Sequence, residues 1–158
     1  MMVGMKEKSG DKFGNIVEGK FGAVAEVTNE HGGKHSYAIE ERTTFAKMIN
    51  NILAKDEDCK DKIPMNFEDD TLFHIFDNGL ALCKLVMAIN PDCLDTRALN
   101  RQQNMNIYQI KENLNMGIAS CKGLGLKMVG IDSRDFIEKT PHLILATLWQ
   151  LIKMYITS

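Results

Sequence analysis

The sequence predicts an all-α fold with four main helices and short connecting turns, and three observations support this. Two segments after Ser36 carry apolar residues at the i, i+3, i+4 spacing of one buried helix face. Two more, ending near Ile89 and Ile156, are apolar around most of their circumference, as central helices are. From Ser36 onward no run alternates apolar and polar residues as a half-buried strand would.

The first helix is expected to begin at Ser36, whose hydroxyl can accept from a free N–H group of the first turn. Glu40 and Glu41 follow in the first turns, where acidic side chains suit the positive end of the helix dipole. One apolar stripe then predicts the buried face. It comprises Phe45, Met48, Ile49, Ile52 and Leu53.

Residues 56–70 contain Pro64 and many acidic side chains and predict a long loop. The second helix is expected to be capped by Asp70, to run through Ile89, and to stop at Asn90-Pro91. The third helix spans Ile107 to Cys121 at helical spacing, and Gly123 and Gly125 end it.

The last segment contains a short turn and the most apolar helix. Asp132-Ser133 is expected to cap one turn, and Thr140-Pro141 starts the final helix, because proline at the first position loses no hydrogen bond and threonine can cap. Loss of its Trp149 is expected to destabilise the fold by roughly 3–5 kcal/mol. The predicted core comprises Phe45, Met48, Phe73, Leu82, Leu114, Leu145, Leu148 and Trp149.

Composition predicts one soluble intracellular domain. The chain has 158 residues, 44% hydrophobic content and a net charge of −2, which disfavours nucleic-acid and anionic-membrane partners. Residues 1–35 hold seven of the 12 glycines and predict a flexible or loosely docked extension before a domain at 36–158. The N-terminus lacks the apolar core of a signal peptide, and the four scattered cysteines suggest a reduced, cytoplasmic compartment.

The candidate motifs for catalysis, metal binding and cofactor binding each lack a required residue or spacing. Gly123-Leu124-Gly125 lacks phosphate-loop spacing. An EF-hand loop starting at Asp56 would place Asp61 and Phe67 where glycine and a bidentate glutamate are required. The acidic run 68–70 precedes a helix, where capping explains it, and His31 and His35 are separated by two glycines. We therefore expect no catalytic residue, no metal site and no cofactor.

Several segments resemble a calponin-homology domain, and specifically the first such domain of the fimbrin (plastin) family of actin-bundling proteins. The similarity covers residues 35–156. Its pieces are HSYAIEERTTFAKMINNIL (35–53), DEDCKDKIPMN (56–66), TLFHIFDNGLALCKLV (71–86), NPDCLDTRALN (90–100), IKENLN (110–115) and VGIDSRDFIEKTPHLILATLWQLIK (129–153). Met48 stands where the signature has tryptophan, Asn78 where it has aspartate, and Phe136 and Thr147 where aliphatic residues are common.

The resemblance implies an F-actin-binding module, half of a tandem, with a second calponin-homology domain C-terminal to it. In that family the first helix, the last helix and the turn before it contact actin. The residues implied here are Arg42, Lys47, Asn50, Lys127, Lys139, His142, Gln150 and Lys153. A competing interpretation is a calponin-homology domain that contacts microtubules or signalling proteins, and an enzyme is a third and more distant one.

Overall fold

A computed structural model describes residues 24–28 and 34–158, and its helical part matches the predicted fold class. The α-helices are α1 (Ile39–Ile52), α2 (Leu80–Ile89), α3 (Ile107–Gly123), α4 (Ser133–Ile137) and α5 (Pro141–Thr157). Short 3-10 turns occupy Glu57–Cys59, Asp70–His74 and Thr96–Ala98. In the part of the chain so described, no helix combines the length and apolarity that crossing a bilayer requires.

A two-stranded antiparallel hairpin precedes α1. Strand β1 (Val24–Thr28) pairs with β2 (Lys34–Ala38), and Val24 lies opposite Ala38. Ser36 therefore belongs to a strand, and the expectation that it caps the first helix is wrong, because α1 begins at Ile39. The predicted extension at 1–35 lies outside the described residues except for 24–28 and 34–35.

The predicted second helix is two elements. A 3-10 turn at Asp70–His74 is separated from α2 by Gly79, whose φ of 84° an α-helix cannot contain. A Cβ at Gly79 would lie 2.6 Å from Cβ of Asn113, so α3 packs directly on this backbone. The cap of the 3-10 turn is Asp69, which accepts from the Thr71 N–H, and not Asp70 as predicted.

Helices α3 and α4 begin at reciprocal capping boxes, which fix where each starts. The Asn106 side chain accepts from the Gln109 N–H, and the Gln109 side chain accepts from the Asn106 N–H. The side chains of Asp132 and Asp135 accept from each other's backbone N–H in the same way. At the other end of α3, Gly125 has a φ of 97°, and the Leu126 N–H donates back to Cys121. This Schellman arrangement accounts for Gly125.

The last helix starts where predicted, with Pro141 in its first turn, but the Thr140 side chain makes no capping hydrogen bond. Its inward face lies in the core, including Thr147, whose hydroxyl donates to the Leu143 carbonyl at 3.0 Å. That bond satisfies the buried hydroxyl, so threonine is tolerated at an otherwise aliphatic position. Phe136 is likewise buried and meets Phe76 edge-on at 5.9 Å.

One hydrophobic core joins the helices. Of the eight predicted core residues, six are buried: Phe45, Phe73, Leu82, Leu114, Leu145 and Leu148. Met48 and Trp149 are half-buried and pack against the core from its edge. The rings of Phe45 and Trp149 lie 6.4 Å apart, which ties α1 to α5.

Asn113 is a buried polar residue at the centre of α3, with no exposed surface. Its Nδ2 donates to the carbonyls of Asn78 at 2.9 Å and Asn100 at 3.0 Å, and its Oδ1 accepts from the Asn100 N–H at 2.9 Å. The amide thus satisfies backbone groups of two loops that would otherwise be buried without partners.

Candidate functional site

The turn between α3 and α4 projects an apolar side chain into solvent. The Ile131 N–H donates to the Met128 carbonyl at 3.0 Å, and Gly130 has a φ of 78°, the geometry of a type II turn. Val129 occupies the first corner and is 97% exposed, while Met128 and Ile131 on either side are buried. The turn is therefore anchored at both ends, and only its corner faces outward.

Gln150 of α5 fixes the chain just before this turn. Its Oε1 accepts from the Lys127 N–H at 2.8 Å, and its Nε2 donates to the Lys127 carbonyl at 2.9 Å. The amide therefore uses one donor and one acceptor on the backbone of one residue. Gln150 is half-buried, and its predicted role as an exposed filament contact does not agree with this engagement.

Two open hollows flank the turn and share Leu126. One, of about 660 Å³, is lined by Lys122, Lys127, Val129 and Asp132, among others. The other, of about 300 Å³, is lined by Trp149, Lys153 and Met154 beside Gly125. Lys122, Lys127 and Lys153 are exposed, so three cations and one carboxylate border this surface. We refer to these residues together with Val129 as the Val129 surface.

Two of the residues predicted on α1 are structural. Arg42 is only 7% exposed, and its Nη1 lies 3.1 Å from Oδ1 of Asp70, so the expectation that it faces solvent is wrong. Asn50 is half-buried and holds the backbone of Met65 through both ends of its amide. Both errors have one cause: the loop 65–70 covers the side of α1 that points away from the apolar stripe.

Lys47 is exposed as expected, and its ammonium lies 4.6 Å from the ring centre of Phe67. Such a cation–π contact leaves the charge available at the surface. Lys139 and His142 are half-buried at the junction of α4 and α5. Lys139 has a φ of 58°, and its Nζ donates to the Ile137 carbonyl at 3.3 Å.

The acidic loop considered for calcium is occupied by cations of the chain itself. Lys84, 13% exposed, lies 2.8 Å from the Asp58 carboxylate and 3.4 Å from that of Asp56, and Arg101 lies 2.9 Å from Asp58. Burial alone would raise the pKa of Asp58, but hydrogen bonds from Lys84 and Arg101 lower it below its usual value. Among the described residues, no three His, Cys, Asp or Glu side chains converge as metal ligands.

Three of the four thiols are buried and unsuited to nucleophilic chemistry. Burial raises the pKa of Cys59, Cys83 and Cys121 to about 12 in each case. A thiol with so high a pKa is almost wholly protonated at neutral pH. These cysteines therefore act as small apolar core residues.

Sequence reasoning missed Val129. The signal available was the Val129-Gly130 pair in a loop, since glycine is favoured at the second corner of a type II turn. The other large apolar side chains exposed on the described surface lie outside this turn, on α3 and α5. They are Ile107, Tyr108, Tyr155 and Ile156.

Residues 39–157 match the calponin homology (CH) domain family. Plastin-1 of Bos taurus is 41% identical over 133 residues, which is 84% of this chain and 21% of the relative. Plastin-3 of Danio rerio is 38% identical over 154 residues, covering 93% of this chain and 24% of the relative. The chain thus spans about a fifth of the length of the curated relatives that it matches.

A solved structure is also similar. The crystal structure of the actin-crosslinking core of Schizosaccharomyces pombe fimbrin superposes with a TM-score of 0.71 and 37% sequence identity. The alignment covers 75% of this chain and 26% of the fimbrin chain. The agreement in sequence and in fold therefore extends across most of the helical part.

Proposed function

The chain belongs to the calponin homology domain family, and we propose that it is an F-actin-binding module of a fimbrin-like filament cross-linking protein. The observation that carries this proposal is the joint similarity to plastins and to a structure described as an actin-crosslinking core. Function here is binding through a surface rather than catalysis. The proposed partners are F-actin and a second CH domain that follows in the parent protein, in the actin cytoskeleton of the cytoplasm.

We assign the contact to exposed groups and exclude those that hold the fold. Lys127 and Lys153 border the Val129 surface, and Lys47 provides a cation on α1. Lys139 and His142 remain proposed contacts at the α4–α5 junction. Arg42, Asn50 and Gln150 act inside the domain instead, because their polar atoms are engaged by Asp70, Met65 and Lys127.

Basic side chains on such a surface would act mainly on encounter and orientation with an acidic filament. Their attraction is screened within about 10 Å at 0.1 M salt, so binding should weaken as ionic strength rises. Neither nucleic acid nor membrane is proposed as a partner, since the chain carries a net charge of −2.

Co-sedimentation with F-actin at low ionic strength tests the proposal. We expect saturable pelleting that falls with added salt and that is reduced in the double variant Lys127→Ala, Lys153→Ala. Lys111→Ala is the matched control, since Lys111 is an exposed lysine near the opposite end of α3. A wild-type chain that stays in the supernatant with F-actin but pellets with microtubules would overturn the proposal.

A further inference from the structure

We propose that Val129 is the apolar anchor through which this domain engages the filament, and that Gln150 is the positioning residue that holds it in place. The inference rests on the proposed function and specifies which part of the surface makes the central contact. The distribution of charge on this surface would predict only lysines as contacts and indicates a role for neither Val129 nor Gln150.

The first step is the exposure of Val129 at the corner of a turn whose two ends are buried. Single exposed apolar residues are common on protein surfaces and by themselves mean little. Val129 differs because the residues on both sides, Met128 and Ile131, are buried and joined across the turn by a hydrogen bond of 3.0 Å. With Gly130 at a φ of 78°, the corner is fixed pointing outward.

The second step is the attachment of the turn to α5. Lys127 directly precedes the turn. The side-chain amide of Gln150 accepts from the Lys127 N–H at 2.8 Å and donates to the Lys127 carbonyl at 2.9 Å. This contact joins residues far apart in sequence and fixes the loop against a helix of the core. A side chain held in its binding position before encounter loses less conformational freedom on binding.

The third step is the chemistry of the complementary site. Lys122 and Lys127 line the same hollow as Val129, and Lys153 lines the adjoining one, with Asp132 as the acidic group at the edge. An apolar centre bordered by three cations fits a filament subunit that offers an apolar depression bordered by carboxylates. Buried apolar centres with polar rims are the usual anatomy of protein interfaces.

Val129→Ser tests the anchor in co-sedimentation with F-actin. We expect roughly a tenfold rise in Kd, as for an interface residue whose truncation measurably weakens binding, with an unchanged melting temperature because the side chain contacts solvent. Tyr108→Ser is the matched control: it removes another exposed apolar group near the far end of α3, about 20 Å away along the helix. It should bind as the wild type does.

Gln150→Ala tests positioning through two measurements. Hydrogen exchange of the Lys127 amide should accelerate, while amides in the middle of α3 keep their protection. In binding, Gln150→Ala should raise Kd in the wild type but add little to Val129→Ser, because its effect acts through the orientation of Val129.

The outcomes separate this inference from the proposed function. If the wild type does not bind filaments, the proposed function fails and the anchor with it. If the wild type binds and Val129→Ser binds equally well, only the anchor is overturned. If Gln150→Ala and Val129→Ser add fully, Gln150 contacts the filament itself and the positioning role is rejected.

Discussion

The side-chain amide of Asn50 holds the backbone of Met65 from both sides. Its Nδ2 donates to the Met65 carbonyl at 3.0 Å, and its Oδ1 accepts from the Met65 N–H at 2.7 Å. Gln150 holds Lys127 in the same way. In both cases a helix amide that could have been a surface contact stabilises a neighbouring loop instead.

Asn50→Ala should lower the free energy of unfolding by about 1–3 kcal/mol, because two hydrogen bonds to half-buried backbone groups are lost. Urea denaturation measures this change. The control is Asn51→Ala, one position along α1, where the side chain is exposed and the effect should be small. Retained stability in Asn50→Ala together with lost filament binding would restore Asn50 to the contact surface.

Gly79→Ala should lower the free energy of unfolding by about 2–4 kcal/mol, combining a left-handed φ with a clash against α3. Gly125→Ala separates the two causes. Gly125 has a φ of 97°, but nothing lies within 4 Å of an added Cβ, so it should lose only ~1 kcal/mol. Equal losses at both positions, measured by urea denaturation, would show that close packing at Gly79 contributes nothing.

Lys139→Gly should raise the free energy of unfolding by up to about 1 kcal/mol, because glycine adopts the φ of 58° at Lys139 without strain. Lys139→Val should lower it by about 1–2 kcal/mol, since a β-branched residue rarely adopts positive φ. Thermal unfolding measures both. If Lys139 also contacts actin through its charge, both variants will bind more weakly; unchanged binding by Lys139→Gly would reject that contact.

Asp58→Asn should lower the free energy of unfolding at neutral pH by about 1–3 kcal/mol, because Lys84 and Arg101 lose a charged acceptor. The folded-state pKa of Asp58 is lowered, so its contribution is complete above the unfolded value of about 3.9 and is lost as pH falls through the folded pKa. The difference in unfolding free energy from the wild type should therefore be constant from about pH 5 to about pH 7 and should shrink in acid.

Urea denaturation at several pH values checks this dependence. Glu57→Gln is the control, because the Glu57–Lys60 pair is exposed at the surface and should contribute less than about 1 kcal/mol at any pH. A stability difference for Asp58→Asn that did not shrink in acid would assign the loss to packing rather than to charge.

The helices were predictable wherever the spacing of apolar residues and the residues that start or end a helix indicated the same segment. The segment 107–123 repeats apolar residues at helical spacing, and Thr140-Pro141 marks the start of α5. The break at Gly79 was missed although Asn78-Gly79 is a turn signal, because the apolar residues on both sides of this pair predicted one continuous helix. It depends on Asn113, a contact that forms only when α3 packs against α2.

The binding surface was harder to predict for a related reason. Helical spacing indicates which side of α1 points away from its own apolar stripe, but not that the loop at 65–70 lies over that side. Arg42 and Asn50 were therefore misplaced, whereas Lys47 was not. Val129 lies in a loop with no period, so its exposure depends on the turn geometry alone. The hairpin at 24–28 and 34–38 was missed because neither VAEVT nor KHSYA alternates strictly between apolar and polar residues.

The saturated amide of Asn113 also governs how the native domain opens. It joins the backbone before α2, at Asn78, to the backbone at Asn100 before α3. Detachment of either segment would leave a donor or acceptor of the buried Asn113 amide without a partner, so we expect the protected amides of both segments to exchange in one cooperative event. The α2–α3 interface is therefore expected to open in a single all-or-none fluctuation and not by gradual fraying of one helix.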